Sequence, residues 1–302
     1  MDERLARIGR LLAVSRGLER EGAYNGAKLV RAALDRELVR YAEAESPSGG
    51  DAAARALEML LADGLVPAAL AAPLAGVAAR VRSGDTIPLG EAPRVHVCRV
   101  CGEVFLGESV PVACPVCGAP ALSFREQLPV WYLEPADHGQ VLAALATGPR
   151  HLEDALAEHD DEALARPPAP GEWSARETLE HLLYAEELFA RRIERLLSED
   201  GPDLAAAAVW AETPPSDEGT ASTGDPASTL LARITGLRAA TVARLRVLDD
   251  DAWARSGVHA EWGRVTVLGQ AAYFARHAAS HQAQLAAAAR GRVPAGPDGA
   301  TG

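Results

Sequence analysis

Long apolar runs, lysine and net positive charge are all scarce in this chain of 302 residues, and each shortage removes a class of function. The longest apolar stretch, LVPAALAAPLAGVAA at 65–79, is too short to span a bilayer and is interrupted by Pro67, Pro73 and Gly76. The N-terminus, MDERLARIGR, is charged at once and lacks the apolar core of an export signal, so a cytoplasmic location is expected. A formal net charge of −12 argues against nucleic acid and anionic membrane surfaces, which would repel it. Lys28 is the only lysine beside an excess of arginine and alanine, which marks a GC-rich genome and not a function. No G-x-S-x-G elbow, Walker A loop or dinucleotide fingerprint occurs.

Cysteine is confined to one place. Cys98, Cys101, Cys114 and Cys117 stand as C-x2-C-x12-C-x2-C within CRVCGEVFLGESVPVACPVCGAP. Two such knuckles bring four thiolates to one point, the donor set of a tetrahedral metal centre. Gly102 and Gly118 follow the second cysteine of each pair, where a positive φ lets the backbone aim N–H groups at sulfur. Two disulfides would need a secreted, cysteine-dense scaffold, which this chain is not. Iron and zinc both accept four thiolates, and spacing does not separate them. A structural zinc would supply about 10 kcal/mol of folding free energy to a segment with little core of its own.

The length suits two or three domains, and 48% hydrophobic content suffices for buried cores. Periodicity predicts one or two helices over 2–45 and shorter ones at 51–63 and 68–82, then a linker at 83–93. The segment QLPVWYLEPAD is too apolar for a free linker and is expected to dock the cysteine module on the helices beyond it. Helices are predicted at 137–158, 174–199, 226–247 and 265–289, with loops at 166–173 and 201–228 and a disordered tail at 291–302.

Ser174 and Glu177 form a capping-box pattern directly after Trp173. His181 sits at the border of that helix's apolar arc, while His277 and His281, at i and i+4, project from one face of the last helix. Three such imidazoles are able to share one metal. Spacing alone favours packing or surface histidines over ligands. Glu186 falls near the middle of the apolar arc, where a carboxylate is costly unless paired; a neighbouring arginine or solvent is the favoured partner, and a role in orienting a ligand the alternative. His259, Glu261 and Trp262 are read as loop residues, either ordinary or lining the mouth of the site. His96 is redundant beside four thiolates, His138, His151 and His159 read as surface, and Asp249, Asp250 and Asp251 as a solvated helix junction.

Two resemblances extend this reading. CRVCGEVFLGE, CPVCGAP and Phe124 resemble the rubredoxin-like module of rubrerythrins over about 94–127, which implies an iron centre carrying one electron, or zinc held for folding. EWSARETLEHLLYAEE followed by GRVTVLGQAAYFARHAASHQAQL resembles the DinB-like family over about 133–290, a four-helix bundle also seen in thiol-dependent S-transferases. The resemblance implies a catalytic divalent metal (zinc, nickel or iron) on His181, His277 and His281, with Gln284 at the trailing position. It implies hydrolysis or S-transfer on a small-molecule substrate, with a small thiol, mycothiol in such a GC-rich background, as co-substrate.

The expected fold is mainly α: an N-terminal helical region (1–92), a small rubredoxin-like metal-binding module built on the four cysteines (93–130) and a DinB-like four-helix bundle (131–290). A homodimer is compatible with it. Two other functions compete. A rubrerythrin-like redox protein would need Glu-x-x-His motifs for a di-iron bundle, and none occurs. A non-catalytic adaptor would use the zinc module and the N-terminal helices as docking surface.

Overall fold

The computed structural model describes residues 3–47, 49–85, 92–204 and 224–293. Residues 86–91 of the expected linker, 205–223 of the expected loop and 294–302 of the expected disordered tail lie outside them. The chain divides into two compact units, residues 1–66 with 74–85 and residues 67–73 with 86–302.

The first unit is helical, as the periodicity predicts. Helices α1 (Glu3–Arg20) and α2 (Tyr24–Glu45) form a hairpin. Its turn is a Schellman closure: Gly22 takes φ 73°, Ala23 N–H bonds the Leu18 carbonyl (2.8 Å) and Gly22 N–H that of Glu19 (3.1 Å). Helices α3 (Gly50–Ala62) and α4 (Ala68–Ser83) come next, joined by a two-point ion pair of Arg82 with Glu58 at 2.7 Å. Pro73 lies inside α4, which spans the helix expected at 68–82. Among the described residues no helix is long and apolar enough to cross a membrane.

The second unit opens with a three-stranded antiparallel sheet of order β2-β1-β3, from β1 (Val95–Cys98), β2 (Val104–Leu106) and β3 (Phe124–Gln127). Its apolar content is small: Phe105 meets Phe124 edge-on at 5.2 Å, and Arg94 clamps Glu126 across the sheet. A 3-10 turn at Trp131–Leu133 then leads into the bundle of α5 (His138–Leu156), α7 (Ala175–Ser198), α8 (Ala227–Leu245) and α10 (Val267–Ala289). Around the bundle the neighbours run α5, α10, α7, α8 and back to α5. Leu145, Leu179, Ile193, Leu230 and Leu285 fill its centre and are fully buried. Three of its helices start where a polar cap lies: Asp137, Ser174 and Thr266 accept from backbone N–H groups of α5, α7 and α10.

Three features depart from the periodicity. Short helices α6 (Asp161–Leu164) and α9 (Asp250–Ala254) punctuate the connections, each capped by an aspartate, Asp160 and Asp249. The stretch read as a loop around His259 is a hairpin, β4 (Ser256–His259) with β5 (Gly263–Thr266), so α10 starts at Val267. Pro149 sits inside α5. Lacking an N–H, it cannot bond the carbonyl of Leu145. The buried Arg238 of α8 takes that role, its Nη1 donating to the Leu145 carbonyl at 3.1 Å. Gly148 keeps the notch open, because a Cβ there would stand 3.1 Å from the same guanidinium nitrogen.

Candidate metal centres

The four cysteines converge. Cys98 Sγ lies 3.7 Å from Cys117 Sγ, Cys101 Sγ lies 3.7 Å from Cys114 Sγ, and all four sulfurs fall within 4.8 Å of one another. Sulfurs about 2.3 Å from a tetrahedral centre stand about 3.8 Å apart, whereas a disulfide holds them at about 2.05 Å. The donor set therefore fits a metal, and no disulfide joins the four. Gly102 and Gly118 adopt φ 85° and 75°, closing each knuckle through an N–H bond of 2.8 Å to the first cysteine's carbonyl. The Cys101 N–H, helped by that of Val100 against the cost of burial, brings the Cys98 thiol down to about 7. Although the Glu103 N–H favours its thiolate, burial and the neighbouring sulfurs push the Cys101 thiol up to about 12. Four thiolates do not coexist here without a cation. His96 stays outside the cluster and bonds the Gly107 carbonyl through Nε2 at 3.0 Å.

The three histidines converge as well. His181 is presented two turns into α7, whose start is fixed by the capping box: Glu177 N–H to Ser174 Oγ (3.1 Å) and Ser174 N–H to the Glu177 carboxylate (2.7 Å). His277 and His281 come from one face of α10. His277 Nε2 lies 3.3 Å from His181 Nε2 and 3.1 Å from His281 Nε2. The Nδ1–H of His281 donates to Gln284 Oε1 at 2.7 Å, which leaves its Nε2 bare and aimed at the other two. Burial, then the proximity of His281, holds His181 down at about 4. Burial, then His281 and His181, holds His277 at about 3. Burial also lowers His281, against the opposing pull of Gln284.

Three neutral rings with converging lone pairs repel one another unless a cation lies between them. Nitrogens about 2.1 Å from a tetrahedral ion stand about 3.4 Å apart, so the observed separations suit a divalent metal. Among the described residues no carboxylate joins this cluster. Trp173, placed by the cap beside it, stacks on His281 (6.2 Å, 14°) and tilts over His181 (5.1 Å). Tyr273, one turn before His277, stacks on that ring at 5.9 Å.

These depressed values set a pH dependence. Above pH 6.5 both folded and unfolded rings are neutral; below it the unfolded chain takes up protons that folded His181 and His277 refuse until about 4 and 3. Stability of chelator-treated protein is therefore full above pH 6.5 and falls as pH drops, by about 1.4 kcal/mol per pH unit for each such ring. Urea midpoints between pH 7 and 4.5 check this; a flat profile, or one matched by His277→Ala, contradicts it.

The other polar candidates lie elsewhere. Glu186 is buried and paired with Arg238, the arginine partner its position requires. Burial raises its carboxyl while Arg238 opposes the rise. His259 is not in the histidine cluster; it is buried in the β4–β5 hairpin, faces Arg192 at 3.2 Å and stacks on Trp262 at 3.8 Å. Trp262 in turn meets Tyr273 at 4.2 Å, which links this hairpin to the site through two aromatic rings. Half-exposed Glu261 contributes a backbone N–H to His259 Nδ1 (3.2 Å). His138 and His151 are exposed as expected, and His159 is half-buried. Sequence reasoning missed Tyr273 and Tyr132; the i, i+4 spacing of Tyr273 to His277 was a signal, and Tyr132 had none beyond its apolar surroundings.

Two family models match parts of this chain. Residues 144–285 match the family model of the DinB superfamily, and residues 96–125 that of the rubrerythrin rubredoxin-like domain. No curated protein matches the chain. Among solved structures the chain is similar to YfiT from Bacillus subtilis, described as "a probable metal-dependent hydrolase with an unusual four-helix bundle topology", at 24% identity and a TM-score of 0.42, covering 52% of this chain and 90% of that one. The stretch that carries the three histidines is thus similar to the DinB superfamily over residues 144–285, and the cysteine module before it to the rubrerythrin rubredoxin-like domain over residues 96–125.

Proposed function

We propose that this protein is a metal-dependent enzyme acting on small molecules, with His181, His277 and His281 as the ligands of its catalytic ion. The observation that carries the reading is the convergence of three half-buried imidazoles, with His277 Nε2 3.3 Å from that of His181 and 3.1 Å from that of His281. A divalent ion (zinc, nickel or iron) held there supplies Lewis acidity, lowering the pKa of a bound water or thiol. The chain's own part is threefold. The uncharged rings leave the ion's charge undiminished, Gln284 holds His281 in the tautomer that frees Nε2, and Trp173 shields His181 and His281 on one side. These features suit hydrolysis, or transfer of a group involving a small-molecule thiol. The four-cysteine centre is read as structural zinc or electron-carrying iron; a red protein that bleaches on reduction marks iron, a colourless one zinc.

The test is turnover of activated esters, and of electrophiles with a thiol, by protein loaded with each of the three ions. His277→Ala is expected to lower kcat/KM at least about a thousandfold, the scale of losing a metal's contribution to charge stabilisation. Turnover unchanged in that variant would reject the reading.

A further inference from the structure

The three rings are held by different means. His281 has its bond to Gln284, and His181 the indole of Trp173. His277 has neither, and its Nδ1 is buried without a hydrogen-bond partner. A metal-bound histidine is ordinarily oriented by a hydrogen bond from its second nitrogen. Here the orienting groups are rings: Tyr273 stacked at 5.9 Å, Phe274 tilted at 6.2 Å and Tyr132 edge-on at 6.2 Å and 86°.

Tyr132 comes from outside the bundle. It lies in the 3-10 turn a few residues after β3, between the two matched segments that end at 125 and begin at 144. That strap is pinned beside His277 by α10 residues on either side of it. Arg276 Nη1 donates to the carbonyls of Tyr132 (2.8 Å) and Glu134 (2.6 Å). The Tyr132 hydroxyl donates to Ser280 Oγ (2.9 Å), and Ser280 Oγ donates to the His277 carbonyl (2.7 Å). The ring of Tyr132 also meets Tyr273 edge-on at 5.4 Å, so it braces the residue that stacks on His277.

We propose that Tyr132 is a positioning residue for His277, so that the segment leaving the cysteine module completes the histidine centre. This rests on the reading of that centre as a metal site. The ring is the determinant, because it is the ring that meets His277, while the hydroxyl reaches the backbone through Ser280.

Cobalt(II) is the probe, titrated into full-length protein and read through the visible bands of the nitrogen-ligated ion, with His277→Ala as the blank. Tyr132→Leu, which fills the space without a flat ring, is expected to weaken cobalt binding about 10–100-fold and to alter the band shape. Tyr132→Phe, which keeps the ring and loses the hydroxyl, is expected to match wild type in both. Thermal melts of the three chelator-treated proteins identify a variant that fails to fold, in which case Tyr132→Phe is compared with Tyr132→Met. Leucine or methionine binding like wild type overturns the proposal, as does phenylalanine weakened as much as leucine. Absence of a nitrogen-ligated ion in wild type overturns both this proposal and the metal-site reading, which keeps the two failures distinct.

Discussion

Replacing Cys114 with serine is expected to unfold the sheet of β1, β2 and β3 while the bundle stays folded. Within this module only His96, Cys98 and Cys114 are buried, and its strands are three or four residues long. Small sheets of this size do not hold themselves together in water. The bound metal therefore has to supply most of the folding free energy, on the order of 10 kcal/mol. Serine keeps the shape of Cys114 but does not ionise near neutrality, so one of four anionic donors is lost. Hydrogen exchange reads the outcome. Amides of Val97, Phe105 and Arg125 should lose protection, and those of α7 and α10 should keep theirs. Protection unchanged in the module of the serine variant would mean that its fold does not depend on the sulfurs.

Glu186→Ala is expected to destabilise the bundle by about 3–5 kcal/mol, the usual cost of leaving a buried charge without its partner. Arg238 is 3% exposed and Glu186 is 1% exposed, so solvent cannot replace the lost carboxylate. Among the described residues the guanidinium then keeps the Leu145 carbonyl and the face of Phe274 at 4.8 Å. For a domain of this size the loss corresponds to a fall in Tm on the order of 10 °C. The double substitution Glu186→Leu with Arg238→Met removes both charges and keeps volume, and it is expected to recover most of the loss. Circular-dichroism melts of the three proteins decide. A single variant as stable as wild type, or a double variant worse than the single, would contradict this account.

How far the sequence could be read depended on how local each feature is. The convergence of the four cysteines was legible, though not the metal they would hold, because two C-x2-C knuckles and their glycines carry their own geometry within a few residues. The long helices were legible from their apolar spacing and their caps, Ser174 with Glu177 above all. The β4–β5 hairpin was not, since strands of four residues give too little alternation to stand out. Of the histidine centre, the i, i+4 pair on α10 was plain, whereas its meeting with His181 on α7 is a tertiary fact that only family pattern suggested. Glu186 announced that it needed a partner, but Arg238 lies 52 positions away and nothing local names it. Tyr132 was the least visible. It is 148 positions from the serine it bonds, and an apolar strap reads the same whether it touches a metal ligand or merely fills a groove.

The most direct test counts metal in full-length protein purified without added ions, with absorption fine structure to identify the ligands. Wild type is predicted to carry two ions per chain, one bound by sulfur alone and one by nitrogen. In His181→Ala with His277→Ala, the sulfur-bound ion is predicted to remain as the only one. A single sulfur-bound ion in wild type, or a second ion that survives loss of both histidines, would contradict the claim that α7 and α10 build a metal centre.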